Sequence, residues 1–390
     1  MNLKVLSNHC QVKNTLQWAN SSFLLSFFTV CFYFSACDTT HQAGKTNTVN
    51  NESTSAKPKN IIFLIGDGMG LPQITGAMYM NDNKTVFERF KNIGFHKSHS
   101  ADNLVTDSAA GATAFASGIK TNNGFLGVDP HKKSYPTLLE MAEKKGMATG
   151  LVVTCSITHA TPAAYVAHVP GRELSEEIAL AYLNSSVDIF IGGDEDAFLH
   201  RKDGRNLVNE LTAKGFVISD LAHTPIENLD INTKKNIGFF TAAQEPDRVS
   251  NGRTFGIPAE QKALEFLNNR SPEGFFVMIE GSQIDWGGHE NDANYVVTEL
   301  HEFEKVVADA LDFAEKDKNT LVIVTSDHET GGFAVNPGSR LNHIEVAFTT
   351  KSHTAMMIPV FAEGPGAELF RGIYENTDIF YKMKNLLNLQ

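Results

Sequence analysis

Cysteine is scarce in this chain of 390 residues, and it is unevenly placed. Three of the four cysteines (Cys10, Cys31 and Cys37) lie in the first 37 residues, and only Cys155 lies beyond them. The body of the protein therefore cannot form an intramolecular disulfide of its own. Cys155 follows the apolar run 150–154. We interpret it as a small buried residue at the end of a strand rather than as a reactive thiol.

Positive charge is also in short supply. The chain has 33 lysines and arginines against 45 acidic residues, which gives a formal net charge of -12. Nucleic-acid binders hold phosphates with basic side chains, so this balance argues against nucleic-acid binding. The sequence also lacks an internal repeat and a second linker, and its length suits one large α/β domain.

A long apolar run occurs only near the start of the chain. Residues 21–36 are apolar and aromatic, and no acidic residue precedes them. The run is short for a membrane span and is typical of a secretory signal. It ends in Ser35-Ala36-Cys37, which is similar to the site where bacterial lipoproteins are cleaved and lipidated. We predict a lipoprotein-type secretion signal over residues 1–36, with an ordinary signal peptide and a soluble product as the alternative.

The segment after this signal is polar. Residues 37–58 are rich in Thr, Asn, Ser and Lys and have almost no apolar content, which predicts a disordered tether. A flexible chain of about 20 residues averages roughly 25 Å end to end. We therefore expect membrane contact through an N-terminal lipid on Cys37, a periplasmic or cell-surface location, and a folded domain over residues 59–390.

Strand and helix patterns alternate through the folded domain. Core strands are predicted at 61–65, 150–153, 187–191, 275–279, 321–324 and 357–361, and helices at 136–145, 163–168, 175–183, 259–268 and 295–314. The strand runs show little alternation of apolar and polar residues, which indicates burial on both faces. The pattern predicts an α/β three-layer sandwich, with a mostly parallel central sheet flanked by helices on both faces. Residues 192–254 have a weaker pattern and are predicted to be excursions from that core.

Three of the apolar runs end in acidic residues. Asp67, Glu280 and Asp327 each follow a predicted strand. In parallel sheets ligands bind outside the carboxyl ends of the strands. Neighbouring carboxylates in such a crevice repel each other strongly, and a multivalent cation removes that conflict. The pattern therefore predicts a metal site.

Histidines accompany these carboxylates. Asp285 and His289 are four residues apart, His328 follows Asp327, and His353 precedes the last predicted strand. Oxygen and nitrogen ligands together suit zinc. Any one Asp–His pair is more often an ordinary surface or core contact than a metal site. For the full set to be only ordinary contacts, several coincidences would be needed.

A serine and an arginine complete the candidate chemistry. Ser108 follows Asp107 and precedes a run of small residues, so it is predicted in the first turn of a helix, where phosphate binds readily. A metal ion on its oxygen would make Ser108 nucleophilic near neutral pH. Arg172 could hold two phosphate oxygens at once. Taken singly, Asp107 and Ser108 predict only a helix cap, and Arg172 only a solvated arginine beside Glu173.

Together these residues resemble the alkaline phosphatase family from about residue 60 to the C-terminus. The matching stretches, in this order, are Ile65 to Gly70, Thr106 to Ala114, His159 to Pro162 with Arg172, Glu280 to His289, Asp327 to Gly332, and His353-Thr354. The resemblance implies a catalytic domain over residues 59–390.

The resemblance also implies a role for each matching residue. Ser108 would be the phosphorylated nucleophile, and Arg172 would hold the phosphate. The cofactors would be two Zn²⁺ and one Mg²⁺ per chain. The ligands would be Asp285, His289 and His353 for the first zinc; Asp67, Asp327 and His328 for the second; and Asp67, Thr161 and Glu280 for magnesium.

Some positions depart from the family pattern. His159 stands where some bacterial members have aspartate, so it would reach magnesium through water. Trp286 stands where some members have lysine, which removes a water-mediated phosphate contact. The chain is shorter than the larger members, so their dimerisation transfers weakly and a homodimer is kept as a candidate.

The expected function is hydrolysis of small phosphate monoesters of broad range through a phosphoserine, with release of inorganic phosphate. A phosphodiesterase or another two-metal hydrolase of the same superfamily is the first alternative. The second is a surface protein that binds metal or phosphate without turnover.

Overall fold

The computed structural model describes residues 57–390. The predicted secretion signal, most of the tether and Cys37 lie outside the described residues. Within residues 57–390, no helix is long and apolar enough to cross a membrane.

The described chain alternates strands and helices, as predicted. The strands are β1 (Asn60–Gly66), β2 (Asn92–Lys97), β3 (Ala148–Ser156), β4 (Ile189–Gly193), β5 (Val217–Asp220), β6 (Ile237–Phe240), β7 (Phe275–Gly281), β8 (Thr320–Thr325), β9 (Glu329–Thr330), β10 (Ala334–Val335), β11 (Val346–Ala347), β12 (His353–Thr354), β13 (Ile358–Glu363) and β14 (Gly372–Glu375). The helices are α1 (Leu71–Tyr79), α2 (Ser108–Ser117), α3 (Leu138–Lys145), α4 (Ala160–Ala163), α5 (Ser175–Asn184), α6 (Asp196–Leu199), α7 (Leu207–Ala213), α8 (Gly256–Asn268), α9 (Ile284–Glu290), α10 (Ala293–Asp317) and α11 (Asn376–Leu386).

Ten strands form one sheet in the order β14-β2-β13-β8-β1-β7-β3-β4-β6-β5. All of these strands run in the same direction except β13, which is antiparallel to both of its neighbours. Two short ribbons, β9 with β12 and β10 with β11, lie outside this sheet.

Both faces of the sheet are buried. In β1, Ile61, Phe63 and Ile65 pack into one apolar core, and the residues between them pack into another. Helices α2, α3, α5 and α11 contribute to the first core, and α1, α8 and α10 to the second. Because every side chain of β1 enters a core, its sequence shows no polar alternation. The three-layer prediction is confirmed.

Two sequence predictions about the body are wrong. Residues 192–254 are not only excursions, since β5 and β6 lie within them and extend the sheet on one side. Each has only four residues, and β5 is half-buried, so neither stands out from its polar surroundings. The helix predicted at 163–168 is instead α4, which ends at Ala163 and is followed by turns.

The fold brings the three acidic strand ends together. β1 lies between β7 and β8, and Ile65 is level with both Glu280 and Thr325. Since β13 runs against the other strands, its first residue lies at the same edge as their carboxyl ends. The β9–β12 ribbon pairs His353 with Thr330, just after the end of β8. The carboxyl edge around β1 is therefore the position of the site.

Candidate active site

The first cluster of candidate ligands consists of Asp67, Asp327 and His328. His328 Nε2 lies 3.1 Å from Asp327 Oδ2 and 3.6 Å from Asp67 Oδ1, and all three side chains are fully buried. Backbone N–H groups hold this cluster in place, because Asp327 Oδ1 accepts from His328 at 3.0 Å and from Gly68 at 3.4 Å. Gly68 has φ +74°, and a Cβ there would lie 2.7 Å from the Cα of Asp285. The loop after β1 therefore needs glycine to approach α9 so closely.

The second cluster consists of Asp285, His289 and His353. Asp285 and His289 are one turn apart on α9, with His289 Nε2 3.2 Å from Asp285 Oδ2. His353 Nε2 lies 3.5 Å from Asp285 Oδ1 and 3.1 Å from His289 Nε2. The ring of His353 stacks on that of His328, with 3.5 Å between ring centroids. The two clusters are therefore in direct contact.

Backbone carbonyls orient two of the imidazoles. His289 Nδ1 donates to the carbonyl of Lys351 at 2.7 Å, and His353 Nδ1 donates to the carbonyl of Thr106 at 2.8 Å. A ring whose Nδ1 carries the proton presents a free lone pair on Nε2. Both Nε2 atoms face Asp285, as metal ligands would.

A third group surrounds Glu280. Its Oε2 accepts from Ser282 Oγ at 2.6 Å and from Cys155 Sγ at 3.4 Å. One ligand atom each from Cys155, His159 and Glu280 lies within 4.8 Å of the others. Thr161, on α4, is fully buried. The structure thus adds Cys155 to the surroundings of Glu280, where His159 was already expected.

Ser108 lies at the N-terminus of α2, as predicted. Its Oγ is 3.2 Å from His328 Nε2 and 3.5 Å from Asp67 Oδ2. Asp107 is the N-cap, and its Oδ1 accepts from the backbone N–H of Ala110 at 2.9 Å. The small residues of α2 permit this contact, since a Cβ on Gly111 would lie 2.9 Å from the Cβ of Asp327. The hydroxyl of Ser108 therefore faces the first cluster directly.

Arg172 approaches the same position from the loop after α4. Its Nη1 donates to Asp107 Oδ2 at 3.1 Å, and its Nη2 lies 3.3 Å from His159 Nε2. The Arg172 side chain is 29% exposed, so it remains open to a ligand. Trp286 is half-buried, with its ring 6.2 Å from that of His159.

Burial and crowding shift the pKa values of the carboxylates. Burial, followed by the charges of Asp327 and Asp285, raises the pKa of Asp67 well above its usual range. Burial also raises the pKa of Asp327, and it raises that of Glu280 to about 7. These shifts show that the protein alone does not compensate the negative charge it collects here.

The pKa values of two of the histidines shift in opposite directions. Burial and the neighbouring His353 lower the pKa of His328 well below its usual range. The hydrogen bond to Asp285 raises the pKa of His289 to about 9. Burial acts to raise the pKa of Asp285, but His289 and the other histidines outweigh it and lower that pKa.

The residues present fit bound cations. Four buried oxygens at this edge make no hydrogen bond: Asp67 Oδ1, Asp327 Oδ2, Glu280 Oε1 and Thr161 Oγ1. Buried polar atoms are normally paired, so this concentration at one edge indicates missing positive charge. The first two clusters offer carboxylate and imidazole donors. Glu280 and Thr161 offer oxygen donors, and Cys155 and His159 lie beside Glu280.

Several contacts of the site escaped the sequence prediction. Asp107 pairs with Arg172, and Thr330 Oγ1 hydrogen-bonds to Asp285 and lies 3.2 Å from His328 Nδ1. Asp107 was expected only as a helix cap, and Cys155 only as a small buried residue. The only sequence signal for the contacts of Thr330 was its position close to Asp327 and His328 in the chain.

Known proteins resemble this chain over most of its length. A sequence model of the family described as Alkaline phosphatase matches residues 58–345 and 339–389. The chain is 38% identical to alkaline phosphatase 3 of Bacillus subtilis over 330 residues, covering 80% of this chain and 70% of that protein. It is 32% identical to the alkaline phosphatase of Escherichia coli over 416 residues, covering 87% of this chain and 88% of that protein.

Solved structures of alkaline phosphatases are also similar to this chain. The alkaline phosphatase from the Antarctic bacterium TAB5 has a TM-score of 0.80 and 42% identity, over 86% of this chain and 99% of that one. A variant of that enzyme, with a histidine replaced by aspartate, has magnesium bound in its M3 site. The chain belongs to the alkaline phosphatase family and is a metal-dependent phosphomonoesterase.

Proposed function

We propose that this enzyme hydrolyses a broad range of phosphate monoesters through a phosphoserine formed on Ser108. The observation that carries the proposal is the position of Ser108 Oγ. It lies within 3.5 Å of both His328 Nε2 and Asp67 Oδ2, in the first turn of α2, where the backbone N–H groups favour an anion.

Two zinc ions and one magnesium ion would complete this site. The residues that would hold zinc are Asp285, His289 and His353 at one position and Asp67, Asp327 and His328 at the other. Asp67, Thr161 and Glu280 would hold magnesium, with Asp67 shared. When bound, these cations supply Lewis-acid charge that compensates the carboxylates and the charge that develops on the phosphoryl group. The contacts within the first two clusters and the unpaired Thr161 and Glu280 oxygens support this division.

The protein side chains would perform the bond-making steps in line. Ser108 Oγ attacks phosphorus and gives up its proton to solvent, the Oγ–P bond forms, and the bond to the leaving oxygen breaks, so that this oxygen takes a proton from solvent and departs as the alcohol. A water molecule then attacks the phosphoserine from the opposite face and loses a proton to solvent. The Oγ–P bond breaks, Ser108 regains its proton, and inorganic phosphate leaves with net retention at phosphorus. Each displacement inverts the phosphorus centre, so two displacements retain it.

Arg172 would hold two oxygens of the phosphoryl group. Its guanidinium is already oriented by Asp107 Oδ2 at 3.1 Å, so the fork loses little freedom when substrate binds. His159 contacts the other end of the guanidinium, and Trp286 lines the neighbouring surface. These two residues would shape the site from outside the ligand sets.

Replacement of the nucleophile tests the proposal directly. Ser108→Ala is expected to lower turnover by about 10⁴-fold or more and to leave no phosphoserine detectable with radiolabelled phosphate. Ser117→Ala is the matched control, because it makes the same change in the same helix at the opposite end. Comparable labelling of Ser108→Ala and Ser117→Ala would refute the assignment.

Substrate class requires a separate measurement. A monoester and a diester with the same leaving group should be compared on the same preparation. The family assignment and the Arg172 fork favour the monoester, because a monoester offers more free phosphoryl oxygens than a diester does. A faster diester reaction would contradict the proposed substrate class.

We further propose that the enzyme is exported and anchored by a lipid on Cys37. Support comes from the sequence alone: the apolar run 21–36, Ser35-Ala36-Cys37 and the polar residues after them. Mass spectrometry of the mature N-terminus should find the lipid in wild type and in Cys31→Ser, but not in Cys37→Ser. An unmodified N-terminus elsewhere in wild type would contradict the anchor.

A homodimer is a further proposal, and its support is an apolar surface at one side of the sheet. Ile93 on β2 is 48% exposed, and Ile373 on β14 is 63% exposed. Sedimentation of the folded protein is expected to give twice the chain mass, and Ile373→Lys is expected to shift it toward the monomer. A monomeric wild type would exclude this proposal.

A further inference from the structure

Glu329 directly follows His328 in the chain and has no part in the function proposed so far. Its side chain is fully buried. One carboxylate oxygen, Oε1, accepts from Gln73 Nε2 at 2.6 Å and from the backbone N–H of Phe333 at 3.0 Å. The other oxygen, Oε2, accepts from the backbone N–H of Gly332 at 3.2 Å and from a hydroxyl on β12. Each oxygen therefore has two donors within the protein, and neither is free to bind a cation.

The hydroxyl on β12 belongs to Thr354, the residue after His353. The β9–β12 ribbon pairs Thr354 with Glu329 and His353 with Thr330, and each of its strands has only two residues. A pair of strands this short adds little stability through its backbone alone. The hydrogen bond from Thr354 to Glu329 therefore adds a buried side-chain contact to a weak backbone pairing, directly beside a candidate metal ligand.

Gln73 connects Glu329 to the loop after β1. The side chain of Gln73 is buried, and its Nε2 also donates to the carbonyl of Thr330 at 2.8 Å. Its Oε1 accepts from the backbone N–H of Gly70 at 3.1 Å. A Cβ on Gly70 would lie 2.6 Å from the Cγ of Glu329, so this loop packs directly against the glutamate. Glu329 thus joins the β9–β12 ribbon to the loop that carries Asp67.

The two clusters of candidate zinc ligands depend on this junction to different extents. In the first cluster, Asp67 directly follows β1, and Asp327 and His328 follow β8, so adjacent buried strands of the large sheet hold all three. In the second cluster, His353 lies on a ribbon outside that sheet. The position of His353 is therefore the one that relies most on Glu329.

We propose that Glu329 is a positioning residue that fixes His353 through Thr354 and thereby sets the metal affinity of the second cluster. The inference rests on the proposed division of the zinc ligands into two clusters. Glu329 touches neither substrate nor metal, so its effect on the reaction passes through His353. Partners that orient a metal ligand in this way typically change metal affinity by about 10- to 100-fold when they are replaced.

Cadmium-113 is a suitable probe, because its NMR resonance depends on how many nitrogen and oxygen atoms bind it. The second cluster offers two imidazoles and the first offers one, so the two bound ions are distinguishable. Full-length protein, first depleted of metal, should be titrated with cadmium. Glu329→Gln places an amide against hydrogen-bond donors, and we expect it to weaken cadmium binding at the second cluster by about 10- to 100-fold. Affinities equal to wild type, or equal losses at both clusters, would overturn the proposal.

Two further variants separate positioning from general stability. Thr354→Val keeps the shape of the side chain but removes the hydroxyl that reaches Glu329, and it is expected to show the same selective loss. Glu304→Gln is the matched control, because Glu304 on α10 is buried and also accepts from a threonine, Thr85, which lies outside both clusters. The control is expected to lower the melting temperature and to leave both cadmium affinities unchanged. A selective loss at the second cluster in Glu304→Gln would contradict the special role of Glu329.

The wild-type titration separates this proposal from the proposed function. A wild type without one two-imidazole site and one single-imidazole site would refute the division of the zinc ligands, and the role of Glu329 with it. Two such sites, bound equally well by wild type and Glu329→Gln, would refute the role of Glu329 alone. Should Glu329→Gln fail to fold, Thr354→Val decides the proposal, and unchanged cadmium affinity at its second cluster would overturn it.

Discussion

Two buried clusters of charge in this protein are neutralised in different ways. Arg253 lies between Glu299 and Glu302 of α10, hydrogen-bonds to both, and has a side chain that is 2% exposed. Asp67 and Asp327 are equally buried, but they face other carboxylates, and the neighbouring His328 has a lowered pKa. In the cluster around Arg253 the chain provides its own cation.

The difference shows what a permanent and a removable cation each contribute. A guanidinium is always charged and fixed to the chain, so the Arg253 cluster keeps its positive charge whatever cations the solution contains. The cluster at the strand ends leaves oxygens unpaired. Its compensation must come from solution, and a cation from solution can also polarise a substrate. The comparison predicts that the two clusters respond in opposite ways to the same perturbations.

Removal of metal is expected to have the largest effect. Chelation should abolish phosphomonoesterase activity and lower the melting temperature, because each site filled at a thousand times its Kd contributes about 4 kcal/mol to folding. Zinc with magnesium should restore both. Calorimetry and a monoester assay on one sample measure this, and a chelated protein that keeps its activity would contradict the metal-dependent mechanism.

Removal of the built-in cation should act on stability alone. Arg253→Met leaves two buried glutamates without their partner and is expected to destabilise folding by about 3–5 kcal/mol. Arg248→Met is the matched control, because Arg248 is 33% exposed and its ion pair with Glu290 spans 3.5 Å. Its expected loss is under about 1 kcal/mol. Urea denaturation of both variants measures the contrast, and equal losses would argue against it.

Removal of one carboxylate should change the stability of the metal-free protein in opposite directions in the two clusters. Asp67→Asn is expected to stabilise the metal-free protein by roughly 1 kcal/mol, because it relieves repulsion from Asp327 and Asp285. The same change should weaken metal binding and activity. Glu299→Gln should destabilise the protein with and without metal. Denaturation in chelator and in metal buffer compares them, and a destabilised metal-free Asp67→Asn would remove the evidence for repulsion.

The smallest expected effect is the pH dependence that His289 gives to the metal-free protein. Its pKa is raised from 6.5 to about 9, so its stabilising contribution is complete below pH 6.5 and is lost as pH rises through about 9. The side chain is 39% exposed, which limits the contribution to under about 1 kcal/mol. The stability difference between wild type and His289→Gln should therefore shrink from pH 6.5 to pH 9.

A bound metal should abolish that trend, since it requires neutral His289. The exposed His343 offers a control, because His343→Gln makes the same change on the surface, away from the site. A difference between wild type and His289→Gln that grows with pH in the metal-free protein would contradict the sign.

The strand ends were predictable because each apolar run and the acidic residue after it can be recognised without reference to the rest of the chain. The runs before Asp67, Glu280 and Asp327 are buried strands, and the parallel arrangement alone places their ends at one edge. The helical position of Ser108 was also predictable, since Asp107 caps the helix and the following residues are small.

Other features depend on relations between distant segments. Nothing in residues 358–363 indicates that β13 runs against its neighbours, yet that direction brings His353 to the site. The Asp107–Arg172 pair joins two loops, and the Cys155–Glu280 contact depends on the register between β3 and β7. Register and strand direction are set by packing, which a single sequence does not display.

The order of the ligands along the chain has a consequence for biosynthesis. Asp67 directly follows β1, whereas Asp327, His328 and His353 come near the end of the chain. Neither the first nor the second cluster is complete until almost every residue has been synthesised and folded. A nascent or unfolded chain therefore cannot sequester metal in these sites, and the compartment in which folding ends decides which cations the enzyme receives.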